Sequence, residues 1–371
     1  MTAAYGDWQG PLADYFGDRL ATMRVVELGK GEGTRWLHAR CKRLVSLEYS
    51  RYPFTASWEA TGLLDHVCIN LPTPRNLADL DGVLVRSRGK ERPPALADEA
   101  KKIHDAALPH GGDLLFIDHG CHNRGEVLEC AFQAGWPYIA IHDTNFPYYG
   151  YRREHPCYDA TEYNAGQGTI IFKRKAPIVT FVIPSIGRNT VENTVLSLRR
   201  LTYPLWQALV GFDALTDEQV NSLRFPDDDR ITTVNLPEKA GGGRNFGGGT
   251  RNQLIGRIAT PWLAFVDDDD SVRPDYLNRL NEARAAHPTA RCVVFRMSYD
   301  SQDMKVLPPL GTVVPVKNKV GISFAVAKSL LDDLGLRFVN GPAEDFDLLN
   351  RIYAAGEPIV FSPHITYNVR F

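Results

Sequence analysis

Three short stretches hold the side chains best able to do chemistry. In PWLAFVDDDD an apolar run passes directly into Asp267, Asp268, Asp269 and Asp270. Four adjacent carboxylates repel one another. That cost is met either by full solvation in an exposed acidic turn or by a divalent cation, and hard oxygen donors suit Mg²⁺ or Mn²⁺. In GPAEDFDLL a glycine-proline turn leads into a pattern with Phe346, Leu348, Leu349 and Ile352 on one face. This predicts a helix with Glu344 and Asp345 in its first turn, where a carboxylate serves either the helix dipole or proton transfer. In VVELGKGEGT, Glu27, Gly29, Gly31 and Gly33 follow an apolar run, and the next such run ends in Glu48. Glycines there let the backbone approach a ligand, and an acid about 20 positions on can accept from ribose hydroxyls.

Each stretch needs a strand to carry it and a helix to follow. Apolar runs predict strands at 24–28, 43–47, 66–71, 113–117, 137–141 and 168–172 in the first half. The second half offers 179–183, 206–212, 230–235, 261–266, 291–297 and 358–361, with helices at 190–201 and 250–258. Strands alternating with helix-length gaps indicate α/β architecture. The basic connector Lys173–Lys175 divides the chain into domains 1–175 and 176–371. The run GGGRNFGGG, 241–249, is too rich in glycine for a helix and lacks the GK[ST] of a Walker loop, so it reads as a turn or a loop over a ligand. Residues 86–95 and 300–320 read as loops without a motif.

The chain has 371 residues, 44% of them hydrophobic, enough for two domains with real cores. Lys+Arg 42 against Asp+Glu 44 leaves a formal charge of −2, which argues against nucleic acid as a partner held by bulk charge. Six cysteines without a CxxC pair do not form a disulfide framework, and reduced thiols point to the cytoplasm. No basic region with an apolar stretch opens the sequence and no 18-residue apolar run occurs, so no membrane span is expected.

The ordered set FVIPSIGRNT, GGGTRNQLIG, FVDDDD and GPAEDFDLL resembles family 2 glycosyltransferases of the GT-A fold. The resemblance implies a nucleotide-sugar donor of UDP or GDP type bound by Pro184, Ser185, Arg188, Asp213, Arg251, Asn252 and Asp268. It implies Mn²⁺ or Mg²⁺ on Asp267 and Asp269, with His364 as a third ligand. It makes Asp345 of the Glu344–Asp345 pair the base, acting on a glycan or glycoconjugate hydroxyl with inversion. A cation beside the leaving diphosphate and a base beside the hydroxyl are what that chemistry requires.

In the first half, E-x-G-x-G-x-G resembles motif I of class I S-adenosylmethionine-dependent methyltransferases, and FIDHGCH and HDT resemble the ends of their fourth and fifth strands. The resemblance implies a Rossmann-like fold with S-adenosylmethionine on Glu27, Gly29, Gly31, Gly33 and Glu48. Asp118, His122 and Asp143 would form the methyl-acceptor site, beside which several members hold a divalent metal. The sequence departs from that pattern at His119 and Cys121. The expectation is therefore an enzyme that both transfers a sugar and O-methylates a glycan. Two alternatives are a glycosyltransferase on an inactive methyltransferase-like scaffold and a non-catalytic glycan- or partner-binding protein.

Overall fold

The protein was analysed as a computed structural model, which describes residues 7–30, 32–49, 66–71, 86–87, 92–240, 247–299 and 305–370. The chain divides into two compact units, Met1–Lys175 and Ala176–Phe371.

The first unit is a seven-stranded sheet. Its strands are β1 (Arg24–Leu28), β2 (Arg43–Tyr49), β3 (His66–Leu71), β4 (Leu114–Ile117), β5 (Tyr138–His142), β6 (Tyr158–Tyr163) and β7 (Thr169–Arg174). They lie in the order β3-β2-β1-β4-β5-β7-β6. β1 to β5 are parallel, and β7 runs antiparallel to both its neighbours. Past the first residues of β1 and β5 the central strands are fully buried, as mainly apolar runs require when helices cover both faces. Leu28 is in register with Leu47 and Ile117, and Ile117 with Ile141. This brings Gly29, Glu48, Asp118 and His142–Asp143 to the carboxyl ends of the parallel strands, at the point where strand order reverses between β1 and β4.

The second unit is a nine-stranded mixed sheet. Its strands are β8 (Val179–Ser185), β9 (Trp206–Phe212), β10 (Ile231–Asn235), β11 (Trp262–Phe265), β12 (Ser271–Val272), β13 (Cys292–Tyr299), β14 (Val306–Leu307), β15 (Phe324–Ala327) and β16 (Ile359–Val369). The order is β10-β9-β8-β11-β15-β13-β16-β12, with β14 paired to β13. β10, β9, β8 and β11 are parallel, and β15 enters antiparallel between β11 and β13. Phe265 aligns with Val182, and Ser185 with Phe212. The loops after β8, β9 and β11, which carry Arg188, Asp213 and the four aspartates, therefore leave the sheet at one end. The predicted helix after Pro342 runs Glu344–Ala354 and buries Leu348, Leu349 and Ile352. The helix carrying Arg251 begins at Gly248, two residues earlier than its sequence pattern indicates, so the glycine run reaches into it. Among the described residues no helix is long and apolar enough to cross a membrane.

Candidate functional site

In the second unit the ends of β8, β9 and β11 meet the starts of helices Gly248–Ile255 and Glu344–Ala354 around a cavity of about 350 Å³. Pro184, Ser185, Arg188, Asp213, Arg251, Asp267, Asp268, Asp269, Glu344 and Asp345 all line it.

The four aspartates divide by parity. Asp268 and Asp270 are buried, at 5% and 4% exposure. The Asp268 carboxylate accepts from Ser185 Oγ at 2.7 Å, from the Ile186 N–H at 3.3 Å and from Arg188 Nη1 at 3.1 Å. Burial raises its pKa, while Ser185 and Arg188 pull the other way. Asp270 accepts from Tyr367 Oη at 2.8 Å and from the Arg370 N–H at 2.9 Å. Burial, then the charge of Asp267, pushes its carboxyl up to about 7. Asp267 pairs with Arg251 and Asp269 with Arg188 Nη1 at 2.7 Å, and their side chains stay 40% and 38% exposed. These two hard oxygen donors face an open cavity and so fit Mg²⁺ or Mn²⁺.

Arg251 sits behind them, 3% exposed, with its guanidinium ion-paired to both Asp267 and Glu344. Glu344 also accepts the Gly248 N–H at 2.8 Å, so it ties two helix starts together. Burial raises its pKa even though Arg251 opposes this. Gly248 is required at this point: an added Cβ would lie 2.4 Å from the Val339 carbonyl oxygen and 2.5 Å from Glu344 Oε2. Asp345 is differently placed. It accepts its neighbour's N–H, from Phe346 at 2.7 Å, and burial raises its pKa, with the Asp267 charge adding to the rise. The residue before the pair, Ala343, has φ 59°, a left-handed conformation that costs a non-glycine residue energy and sets the angle at which the helix enters the site.

Asp213 holds the cavity's far side by accepting from the Ala240 N–H at 2.6 Å and Thr250 Oγ1 at 3.3 Å. Two residues named from the sequence lie elsewhere. Asn252 exchanges hydrogen bonds with the Phe338 backbone at 2.8 and 2.9 Å and does not line the cavity, because it faces away from Arg251 on the helix. His364 sits in β16 and does not line it either. Thr250, Ile322 and Pro342 line the cavity without having been singled out, and Tyr367 supports it by accepting the Asp267 N–H at 3.1 Å. A buried tyrosine in a strand gives no sequence signal for that role.

The first unit collects charge at the carboxyl ends of its own parallel strands. Asp118, His142 and Asp143 bring ligand-type atoms within 4.8 Å of one another. Arg124 already stands between the two carboxylates, with Nη1 2.9 Å from Asp118 Oδ1 and 2.8 Å from Asp143 Oδ2. Its Nε donates to the His119 carbonyl at 2.6 Å. His142 lies between Asp118, at 3.2 Å, and Asp7, at 2.6 Å. Burial lowers its pKa, but the Asp118 and Asp143 carboxylates and Asp7 outweigh that, and the net direction is upward. A divalent ion does not fit this arrangement, because a buried guanidinium occupies the position between its would-be ligands. The cluster is completed by His142, not by His122, whose ring stacks on Tyr149 at 5.2 Å and packs edge-on to Tyr148 at 5.1 Å.

At the glycine turn, Gly29 has φ 118° and no room for a side chain, since a Cβ would lie 2.5 Å from the Asp118 carbonyl oxygen. Gly33 packs on the Trp8 ring, and Gly31 lies outside the described residues. Glu48 accepts from the Tyr49 and Gly120 N–H groups at 2.7 and 3.2 Å, and burial pushes its carboxyl up to about 7. Glu27 is buried beneath the turn, accepting from Ser46 Oγ at 2.5 Å and Thr34 Oγ1 at 3.2 Å, and burial pushes it up to about 8. It is a core carboxyl that braces the turn from below.

An α/β sheet whose acidic strand end and helix-borne Glu-Asp pair share a cavity defines a class. Residues 180–322, which lie within the second unit, match the model of glycosyl transferase family 2. Among curated proteins, the chain is 30% identical over 106 residues to TuaG of Bacillus subtilis strain 168, named as a teichuronic acid biosynthesis glycosyltransferase. That match covers 28% of this chain and 40% of TuaG. It is 30% identical over 134 residues to the succinoglycan biosynthesis protein ExoO of Rhizobium meliloti strain 1021, covering 36% of this chain and 37% of ExoO. The chain thus spans less than half the length of these relatives. Among solved structures, S. aureus TarS 1–349 with UDP-GlcNAc is similar at 18% identity and a TM-score of 0.43, covering 52% of this chain and 58% of that one.

Proposed function

We propose that the second unit transfers a sugar, with inversion, from a UDP- or GDP-type donor to a hydroxyl of a growing cell-surface glycan, in the cytoplasm. The observation that carries this reading is the convergence of Arg188, Asp213, Asp267, Asp269 and Asp345, from four separate stretches of chain, on one cavity. The names of TuaG and ExoO support a polysaccharide acceptor.

Each residue then has a task. Asp213 and the β8 loop receive the nucleoside end of the donor, and Arg188 at the rim meets diphosphate charge. Asp267 and Asp269 would hold Mn²⁺ or Mg²⁺, which supplies positive charge to the leaving diphosphate. Arg251 fixes Asp267 and Glu344 in place from behind. Asp345, its proton affinity raised by burial, takes the proton of the attacking hydroxyl. Because one base acts on one face and the diphosphate leaves from the other, the anomeric configuration inverts. The experiment is a panel of nucleotide sugars with Mn²⁺ and purified protein, with donor hydrolysis and transfer as readouts. Turnover of no donor, or turnover unchanged in Asp269→Asn and Asp345→Asn, sinks the reading.

For the first unit we infer an S-adenosylmethionine-binding domain whose acceptor side is closed. The close approach of Gly29 to the β4 turn and the position of Glu48 at the strand-order reversal support cofactor binding. Arg124, which fills the space between Asp118 and Asp143, favours the inactive-scaffold reading over O-methylation. Calorimetry with S-adenosylmethionine on the wild type and Glu48→Ala tests binding. Methyl transfer from labelled cofactor to any glycan by the wild type would restore the bifunctional reading.

A further inference from the structure

The segment from Lys305 to Lys319, which no part of the sugar-transfer reading uses, has an unusual surface. Of the large hydrophobic side chains exposed among the described residues, Leu310, Val313 and Val316 fall within one short loop, at 69%, 75% and 44% exposure. Exposed aliphatic clusters of this kind mark interaction sites. The charge along this stretch has one sign. From Met304 to Leu331 the sequence contains no Asp or Glu, whereas Lys305, Lys317 and Lys319 are exposed beside the aliphatic residues. Pro308, Pro309 and Pro315 stiffen the loop, so little conformational freedom is lost when it is covered.

Exposed aliphatic residues flanked along the chain by exposed lysines, with no acid between them, complement a surface that is apolar beneath and anionic above. We propose that this loop docks the second unit on an anionic lipid bilayer surface, Leu310, Val313 and Val316 entering the headgroup boundary and Lys305, Lys317 and Lys319 meeting the lipid phosphates. The loop leads into the catalytic cavity. Val320, Gly321 and Ile322 follow it inward, Ile322 lines the cavity, and a Cβ at Gly321 would lie 3.4 Å from Asp345 Oδ2. Docking here would set the acceptor side of the cavity at the lipid surface.

The test uses the full chain, without donor or metal, in vesicle flotation. Binding is expected to vesicles of 70% phosphatidylcholine and 30% phosphatidylglycerol, at least tenfold weaker to pure phosphatidylcholine, and weakened by salt. Leu310→Ser/Val313→Ser/Val316→Ser and Lys317→Glu/Lys319→Glu are each expected to lose at least tenfold in vesicle affinity. Both variants should unfold at the wild-type temperature and keep Mn²⁺-dependent donor hydrolysis, since none of these residues lines the cavity. The lysine pair is a surface change that keeps the test open if the triple variant misfolds. Equal or absent binding on both vesicle types, or folded variants that bind as wild type does, overturns the proposal. So does self-association that the serine variant abolishes without any vesicle binding, which would assign the patch to a second copy. Loss of donor hydrolysis with vesicle binding intact strikes the sugar-transfer reading alone.

Discussion

Both units place aspartates at the carboxyl ends of parallel strands and pair them with arginines, yet they arrange those arginines differently. In the second unit Asp267 and Asp269 pair with two different arginines, Arg251 and Arg188, and stay part-exposed to a cavity. In the first, Asp118 and Asp143 close on the buried Arg124, and His142 is shared between Asp118 and Asp7. The residue types are alike and both pairs meet arginine, and what differs is that one buried guanidinium bridges Asp118 and Asp143 whereas Asp267 and Asp269 meet separate ones. An open carboxylate pair can take up an external cation and act on a diphosphate. A pair bridged by a single buried guanidinium, as Asp118 and Asp143 are by Arg124 Nη1, has that capacity closed off.

The sharpest way to break this contrast is to remove its open side. Asp345→Asn and Asp269→Asn should each lower kcat by about 10³-fold in an Mn²⁺-supported transfer assay. Because burial raises the Asp345 carboxyl, activity should be present above its pKa and fall as pH drops through it, at a pH higher than an ordinary carboxylate would give. A pH–rate profile without that displaced acid limb would remove Asp345 as the base.

On the closed side, Arg124→Met leaves two carboxylates without their cation and should destabilise the first unit by about 3–5 kcal/mol in denaturant unfolding. Mn²⁺ should raise the melting temperature of this variant at the first unit, but not that of an Asp267→Asn/Asp269→Asn protein that retains Arg124. Tight Mn²⁺ binding by the latter would collapse the contrast.

A smaller effect is expected from Gly248→Ala, where the added methyl meets the Val339 carbonyl and the Glu344 carboxylate. Overpacking of this kind costs about 1–3 kcal/mol. The variant should also weaken donor affinity through displaced Glu344 and Arg251, read as a raised KM for the donor.

The smallest effect concerns Glu27. Its folded pKa of about 8 exceeds the ordinary carboxylate value, so the folded state binds more protons than the unfolded one between those values. Its contribution is fully present at pH below the unfolded value and is lost as pH rises through about 8. Glu27→Gln should flatten that loss, gaining on the order of 1 kcal/mol at pH 8.5 in denaturant melts. An unchanged slope would mean that the carboxyl is not the group responsible.

Strands that feed the two sites were legible because fully buried parallel strands are unbroken apolar runs, as in VTFVI and WLAF. The strands that sequence reading missed are of other kinds. β6, YDATEY, is an edge strand with a mostly exposed face, β12 and β14 are two residues long, and β15 pairs antiparallel on both sides. β16 runs well past the predicted 358–361 because Pro363 and alternating polar residues hide its length. At the sites, acidic strand ends announced themselves by repulsion and position. Arg124 did not, because one arginine in a helix says nothing about two carboxylates contributed by different strands. His142 was overshadowed by Cys121 and His122, although it directly precedes Asp143.

The Glu344 carboxylate, holding the Gly248 N–H and the Arg251 guanidinium that also pairs with Asp267, has an evolutionary corollary. Gly248, Arg251, Asp267 and Glu344 form a closed set in which replacing one strands the others, so drift at these positions should proceed by joint replacement or not at all. Anyone grafting this cavity onto another scaffold would have to transplant the four together.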